Sequence, residues 1–392
     1  LLTFFQNLFL LFPAKLTLQV FKKKIKSIKF GIKVFCLLFF QNLFLLFPAK
    51  LTLQVFKKKI RSIKFGIKVF CLLFFKKVRE RKIQMTTRIT ELLGIKYPII
   101  QGGMAWIAES TLAAAVSNAG GLGLIAGGSA PIDYLRDQIR KTKELTDKPF
   151  GVNIMLMSPN AEELAQLVID ENVPVVTTGA GNPGKFIAAW KEAGIKIIPV
   201  IPSVALAKRM ERAGADAVVA EGTESGGHIG ENTTMCLVPQ VADAVEIPVI
   251  AAGGIADGRG IAASFMLGAE GVQVGTRFLA SEECQIHSTY KQLVVDAKDT
   301  DNVVTGRTTG HPCRNVKTKF AKKLASGEMN GTITPDEFEE ITLGSLRKAV
   351  QDGNLEEGSF LCGLIAGMVN DVKPCKDIIE EMFEQAQKLM NK

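Results

Sequence analysis

Between residues 98 and 274 the chain alternates two kinds of pattern. Short, nearly continuous apolar runs rich in β-branched residues lie at 98–101, 123–126, 150–155, 173–177, 196–201, 215–220, 248–252 and 271–274. Stretches with apolar positions every three to four residues separate them, at 110–119, 132–145, 161–172, 185–193, 205–213, 236–245 and 259–267. Gly120, Gly194, Gly214 and Gly268 close four of these, where a helix end favours a left-handed residue. Runs that are apolar throughout suit strands of a parallel sheet covered by helices. Eight strands and seven intervening helices predict a (β/α)8 TIM barrel. The rival is a doubly wound open sheet. Glycine-rich ends after the first, second, sixth, seventh and eighth strands favour the barrel, which gathers them on one face. Beyond residue 280 the alternation stops. Residues 285–345 read as a mixed, partly polar extension and 377–391 as an amphipathic helix. We therefore expect a barrel over 85–284 and a C-terminal helical and irregular extension over 285–392 that caps the barrel or a partner subunit.

Residues 1–84 do not share this pattern. Residues 4–40 recur as 39–75 with one difference, Lys26 against Arg61. The segment holds 19 Lys and Arg against one acid, so the overall net charge of +9 misleads. The remainder carries 29 basic and 38 acidic residues and gives no reason to expect a nucleic-acid partner. Sixteen of the 24 Phe lie in the segment and the first Met is Met85, a composition that AT-rich noncoding DNA gives when translated. We expect the true start at Met85, with residues 1–84 as untranslated upstream sequence in a miscalled reading frame. A membrane anchor and a structural repeat are the competing readings. The apolar stretch 34–48 falls short of the roughly 20 residues needed to cross a bilayer. Solenoids usually need about three or more copies, which drift in sequence. No membrane partner is expected. The Cys residues show no metal-ligand spacing and no secretory pattern precedes them, so a cytoplasmic protein with free thiols and no metal site is expected.

The candidate chemistry lies at the glycine-rich strand ends. After the sixth strand comes Glu221-Gly222-Thr223-Glu224-Ser225-Gly226-Gly227-His228-Ile229-Gly230. His228 is one of only three histidines, so a group titrating near neutrality is scarce, and its glycine frame favours a catalytic role over that of a loop residue. Glu224 either orients His228 or is a solvated loop acid. Backbone N–H groups at Gly253-Gly254 and Gly275-Thr276 could cradle a phosphate, as the loops after strands seven and eight of barrels commonly do. A sugar phosphate, a nucleotide or a flavin would each satisfy that site. Gln101-Gly102-Gly103-Met104 favours flavin, because two glycines leave room for a flat ring and Met104 offers a soft contact. Asn153, inside an apolar strand, needs a hydrogen-bond partner from neighbouring backbone or from a ligand. Cys236 is expected to pack in the core and Trp106 at the barrel rim.

Residues 85 to about 390 resemble the flavin-dependent enoyl-acyl-carrier-protein reductase II family, related to the nitronate monooxygenases. The likeness is carried by the runs at 97–104, 148–156, 177–183, 221–230 and 248–258, and by Gln273-Val274-Gly275-Thr276-Arg277-Phe278. Thr177-Thr178-Gly179-Ala180-Gly181-Asn182-Pro183 is closer to the reductases than to the monooxygenases. One departure is Cys362-Gly363-Leu364-Ile365-Ala366-Gly367, where the reductases often carry Gln in place of Leu364. The resemblance implies FMN as cofactor, held by Gln101, Gly102, Gly103, Met104, Asn153, Gly226, Gly227, Gly253, Gly254, Gln273, Gly275 and Thr276. It implies NADH or NADPH as co-substrate, and a trans-2-enoyl thioester on acyl-carrier protein as the group reduced. His228 would be the proton donor or carbonyl polariser. A homodimer and activation by a monovalent cation are also implied. The alternatives are oxidation of alkyl nitronates by molecular oxygen, with His228 as base, and a flavin-binding module without turnover.

Overall fold

The computed structural model describes residues 85–128 and 130–391, so the expectations for residues 1–84 lie outside the described residues. Strands β1 (Ile99–Gln101), β2 (Gly123–Ala126), β3 (Phe150–Met155), β4 (Val175–Gly179), β5 (Lys196–Ile201) and β6 (Val218–Glu221) run parallel. A two-residue β7 (Gly227–His228) stands apart, and β8 (Val249–Ala252) and β9 (Gly271–Val274) complete the set. The order β1-β9-β8-β6-β5-β4-β3-β2 is that of a barrel. A parallel bridge between Ile100 and Leu122 joins the two edges, Leu122 N–H donating to Ile99 O and Gln101 N–H to Leu122 O, both at 2.9 Å. The fold is the expected (β/α)8 TIM barrel.

The expected bounds of β2, β3, β5 and β9 hold to the residue. β4 starts two residues later than the apolar run, because Pro174 has no N–H for the ladder and the Val173 N–H closes the preceding helix on Val168 O. β6 starts late for a similar reason: Ala215 N–H bonds Met210 O, and the Asp216 side chain accepts from Ile197 N–H.

Ile100, Leu122, Leu124, Val175, Ile198, Val219 and Ile250 fill the barrel interior. Ile89 and Leu93 of α1 (Arg88–Leu93) join that cluster and plug its N-terminal end. Outside the strands lie α2 (Ser110–Asn118), α3 (Ile132–Leu145), α4 (Ala161–Asp170), α5 (Gly184–Glu192), α6 (Val204–Ala213), α7 (Thr234–Ala242) and α8 (Gly258–Met266). Gly120, Gly194, Gly214 and Gly268 all take the left-handed backbone expected of them. Cys236 corrects an expectation. It is exposed, because α7 buries Thr234, Leu237, Val238 and Val241 and turns position 236 away.

A short α9 (Thr276–Leu279) follows β9, and the extension contains α10 (Ser288–Val295), β10 (Asn302–Thr305), β11 (Cys313–Val316), α11 (Lys319–Asn330), α12 (Pro335–Thr342), α13 (Ser345–Arg347) and α14 (Cys375–Met390). β10 and β11 pair antiparallel, and β11 pairs β7 with Cys313 opposite His228. α14 packs on the flank of the barrel, where Phe383 stacks on Tyr97 at 5.0 Å and Gln385 accepts from Gly258 N–H at 2.8 Å. No helix among the described residues is long and apolar enough to cross a membrane.

Candidate functional site

A cavity of about 660 Å³ opens at the C-terminal ends of the strands. Gly102, Gly103 and Met104 line it from the end of β1, Asn153 from β3, and Gly226, Gly227 and His228 from the loop after β6. Gly253 and Gly254 after β8, and Gln273, Gly275 and Thr276 at β9, complete the wall. The barrel thus brings together every candidate site residue read from the sequence except Gln101. That side chain is fully buried, its Oε1 accepting from Leu124 N–H at 3.0 Å and its Nε2 donating to Gly102 O. Gln101 braces β1 against β2 and stays off the cavity wall.

The first strand end and the third fit each other by size. A Cβ on Gly103 would lie 2.3 Å from Asn153 Cβ, so only glycine lets the Asn153 side chain lie against this backbone. Asn153 Oδ1 accepts from Thr177 Oγ1 at 2.9 Å, which fixes the amide's orientation. Gln273 is buried and its Oε1 has no hydrogen-bond partner among the described residues. An orphaned buried acceptor on a cavity wall calls for a donor from whatever binds there. A flavin ring carries such an N–H, so Gln273 fits that group. At the other end of the site, Gly253 and Gly254 both have positive φ, +87° and +75°, which turns the chain sharply after β8. Thr276 does a second job, its Oγ1 accepting from Gly363 N–H at 2.8 Å and tying the extension to β9.

His228 faces the cavity from β7, its ring edge-on to His311 at 6.3 Å. His228 stays exposed at the cavity, but desolvation by the cavity walls, and secondarily His311, lowers its pKa from the usual imidazole value, so the neutral ring predominates at pH 7. Glu221, at the end of β6, goes the other way. Burial pushes its carboxyl up to about 7, with the Ser225 hydroxyl close by but outside hydrogen-bonding geometry. Glu224 neither orients His228 nor stands in solvent. Both its carboxylate oxygens accept from Thr234 N–H, at 3.0 and 2.9 Å, so it caps α7. Arg314 braces the same loop by donating to Thr223 O and Ser225 O. Trp106 is at the rim as expected, half-buried and in contact with Tyr134.

Three groups on the wall were not singled out as site residues from sequence: Glu221, His311 and Arg347. Glu221 had a signal, being an acid at a barrel strand end. His311 and Arg347 come from the extension, whose path over the mouth no periodicity announces.

The nitronate monooxygenase family model matches residues 86–385. Among solved structures, FabK from Thermotoga maritima is similar at 55% identity and a TM-score of 0.76, covering 78% of this chain and 97% of that one. Among curated relatives, a probable nitronate monooxygenase from Staphylococcus saprophyticus is 37% identical over 358 residues, 79% of this chain and 100% of the relative. A hydroxy-methyl-oxo-octahydroindene-carboxyl-CoA dehydrogenase from Mycobacterium tuberculosis is 36% identical over 343 residues, 78% of this chain and 97% of the relative.

Proposed function

The chain belongs to the nitronate monooxygenase family of oxidoreductases, and on that premise we propose that it is an FMN-dependent enoyl-acyl-carrier-protein reductase using NADH or NADPH. The observation that carries this reading is the 55% identity with FabK, an enoyl-acyl-carrier-protein reductase II, against 37% with the probable nitronate monooxygenase. Bound FMN would supply the two-electron chemistry, relaying hydride from the reduced nicotinamide to the β-carbon of the enoyl thioester.

The chain's residues do the rest. The Gly253-Gly254 and Gly275-Thr276 turns would offer backbone to the FMN phosphate, and Asn153 and Gln273 would offer amides to its ring edge. Met155, Val200, Ile201 and Leu361 give the cavity an apolar wall suited to an acyl chain. As hydride reaches the β-carbon, negative charge grows on the thioester oxygen and the α-carbon takes a proton. Neutral His228 suits the first need, donating a ring N–H to the oxygen. Its lowered pKa makes the imidazolium scarce at pH 7, which favours polariser over proton donor. Glu221, titrating at about 7, holds an exchangeable proton on the same wall.

A second reading, oxidation of alkyl nitronates by oxygen, is supported by the family model and the staphylococcal relative. The test is product analysis. Anaerobic incubation with NADH or NADPH and crotonyl-CoA should yield butyryl-CoA, one per nicotinamide consumed. Oxygen-dependent loss of a nitronate without any nicotinamide, and no butyryl-CoA, would contradict the reductase reading.

A further inference from the structure

Among the described residues the cavity mouth carries one fixed cation. Among the described residues lining the cavity, Arg347 of α13 is the sole Lys or Arg; the other ionisable side chains are Glu221, Glu224, His228 and His311, with Cys362 as a buried thiol. Arg347 is held in place without being neutralised. Its guanidinium carbon lies 4.9 Å from the centre of the Trp106 ring, and its Nε donates to Gln351 at 2.8 Å. None of the ion pairs among the described residues includes Arg347. Trp106 in turn has φ +62°, a left-handed backbone that is uncommon for a bulky residue. Such conformations persist where surrounding structure enforces them, often at ligand clamps. Here the turn places the indole beneath Arg347, with Tyr134 at 6.4 Å between ring centres.

We propose that Arg347, stacked on Trp106, is the group that recognises a phosphate ester or pyrophosphate on an incoming ligand at the cavity mouth. With its Nε tethered to Gln351, the guanidinium has Nη donors left to offer, and paired guanidinium N–H groups grip phosphate oxygens two at a time. Two ligands of the reductase reading carry this chemistry: the pyrophosphate of the reduced nicotinamide dinucleotide and the phosphorylated pantetheine arm of the acyl thioester. The choice of these ligands rests on that reading; the anion site itself does not.

The test uses the flavin-loaded protein and its R347Q and R347K variants under anaerobic conditions. Flavin reduction is measured with NADH, NADPH and the phosphate-free 1-benzyl-1,4-dihydronicotinamide. Flavin reoxidation is measured with crotonyl-CoA and the phosphate-free crotonyl-N-acetylcysteamine. R347Q should weaken the apparent Kd for one phosphate-bearing ligand by about ten- to hundredfold, the range for a lost charge-assisted hydrogen bond. Its phosphate-free counterpart should be spared, and R347K should fall between. Whichever half-reaction moves identifies the source of the phosphate. Unchanged Kd values for all three phosphate-bearing ligands would overturn the proposal. So would loss of bound FMN from R347Q, since Arg347 would then serve the resident cofactor. Inorganic pyrophosphate provides a readout independent of turnover. It should change the fluorescence of Trp106 saturably in the wild type and not in R347Q, and equal responses would count against the site. If crotonyl thioesters fail to reoxidise the wild type, the reductase reading fails while the nicotinamide and pyrophosphate arms still decide on Arg347.

Discussion

The barrel's strand ends meet the cavity with glycine backbone and two amide side chains, Asn153 and Gln273. The C-terminal extension meets it with His311, Arg347 and the strand that fixes His228. The first set suits a flat, phosphorylated group that stays bound. The second is ionisable, lies at the rim, and suits something that comes and goes. If this division is right, damage to the strand ends removes the cofactor, and damage to the rim spares it while altering turnover.

The largest expected effect is on the first side. Gly103→Val must drive a side chain into Asn153, whose Cβ already lies 2.3 Å from where a Cβ at 103 would be. We predict colourless protein, with flavin absorbance per chain down by more than about tenfold; overpacking of this kind also costs about 1–3 kcal/mol of stability. Full flavin occupancy would break the assignment of the strand ends to the cofactor. Next is His228→Ala, which should stay yellow and lose about 10²- to 10⁴-fold in enoyl reduction. Loss of flavin from this variant would erase the distinction between the two regions.

Glu221→Gln sharpens the comparison at the boundary between them. The folded pKa of Glu221 is raised from 4.5 to about 7, so the native state holds this proton more tightly than the unfolded chain. The resulting stabilisation is present below pH 4.5 and is lost as pH rises through about 7. Between pH 5 and 8 the Tm of the flavin-free wild type should therefore fall more steeply than that of the Gln variant; parallel curves would show that Glu221 titrates normally. The smallest effect belongs to His311→Asn. His311 helps hold the His228 pKa down, so its removal should move the imidazole midpoint upward by NMR titration. Turnover at pH 7 should change by less than about tenfold, and a downward shift would remove His311 from the electrostatics of the site.

The same division explains what could be read from the sequence. β2, β3, β5 and β9 were legible because a buried parallel strand is one apolar run, and α3 because its amphipathic period is unbroken over 132–145. The glycine-rich strand ends were legible because the barrel topology alone brings them together. The rim was not. β7 is two residues long and its partner strand begins at Cys313, so neither periodicity nor a turn signal links His228 to it. Arg347 meets Trp106 across more than half the described chain. Polar side chains failed for a different reason. In the sequence Gln101 looks like a cofactor ligand and Glu224 like a partner of His228 or a solvated acid, but backbone groups of the fold itself satisfy both. Cys236 was misjudged by one position on a helix whose buried stripe passes beside it.

The central claim is that one cavity accepts hydride from a nicotinamide and gives it to an enoyl thioester. Anaerobic stopped-flow on the purified yellow protein tests it most directly, with flavin absorbance followed through reduction by NADH or NADPH and then mixing with crotonyl-CoA. Rapid return of the oxidised flavin spectrum on adding the enoyl thioester is the predicted result. Flavin that stays reduced with crotonyl-CoA, in protein whose oxidised flavin is bleached quickly by a nitronate, would contradict it.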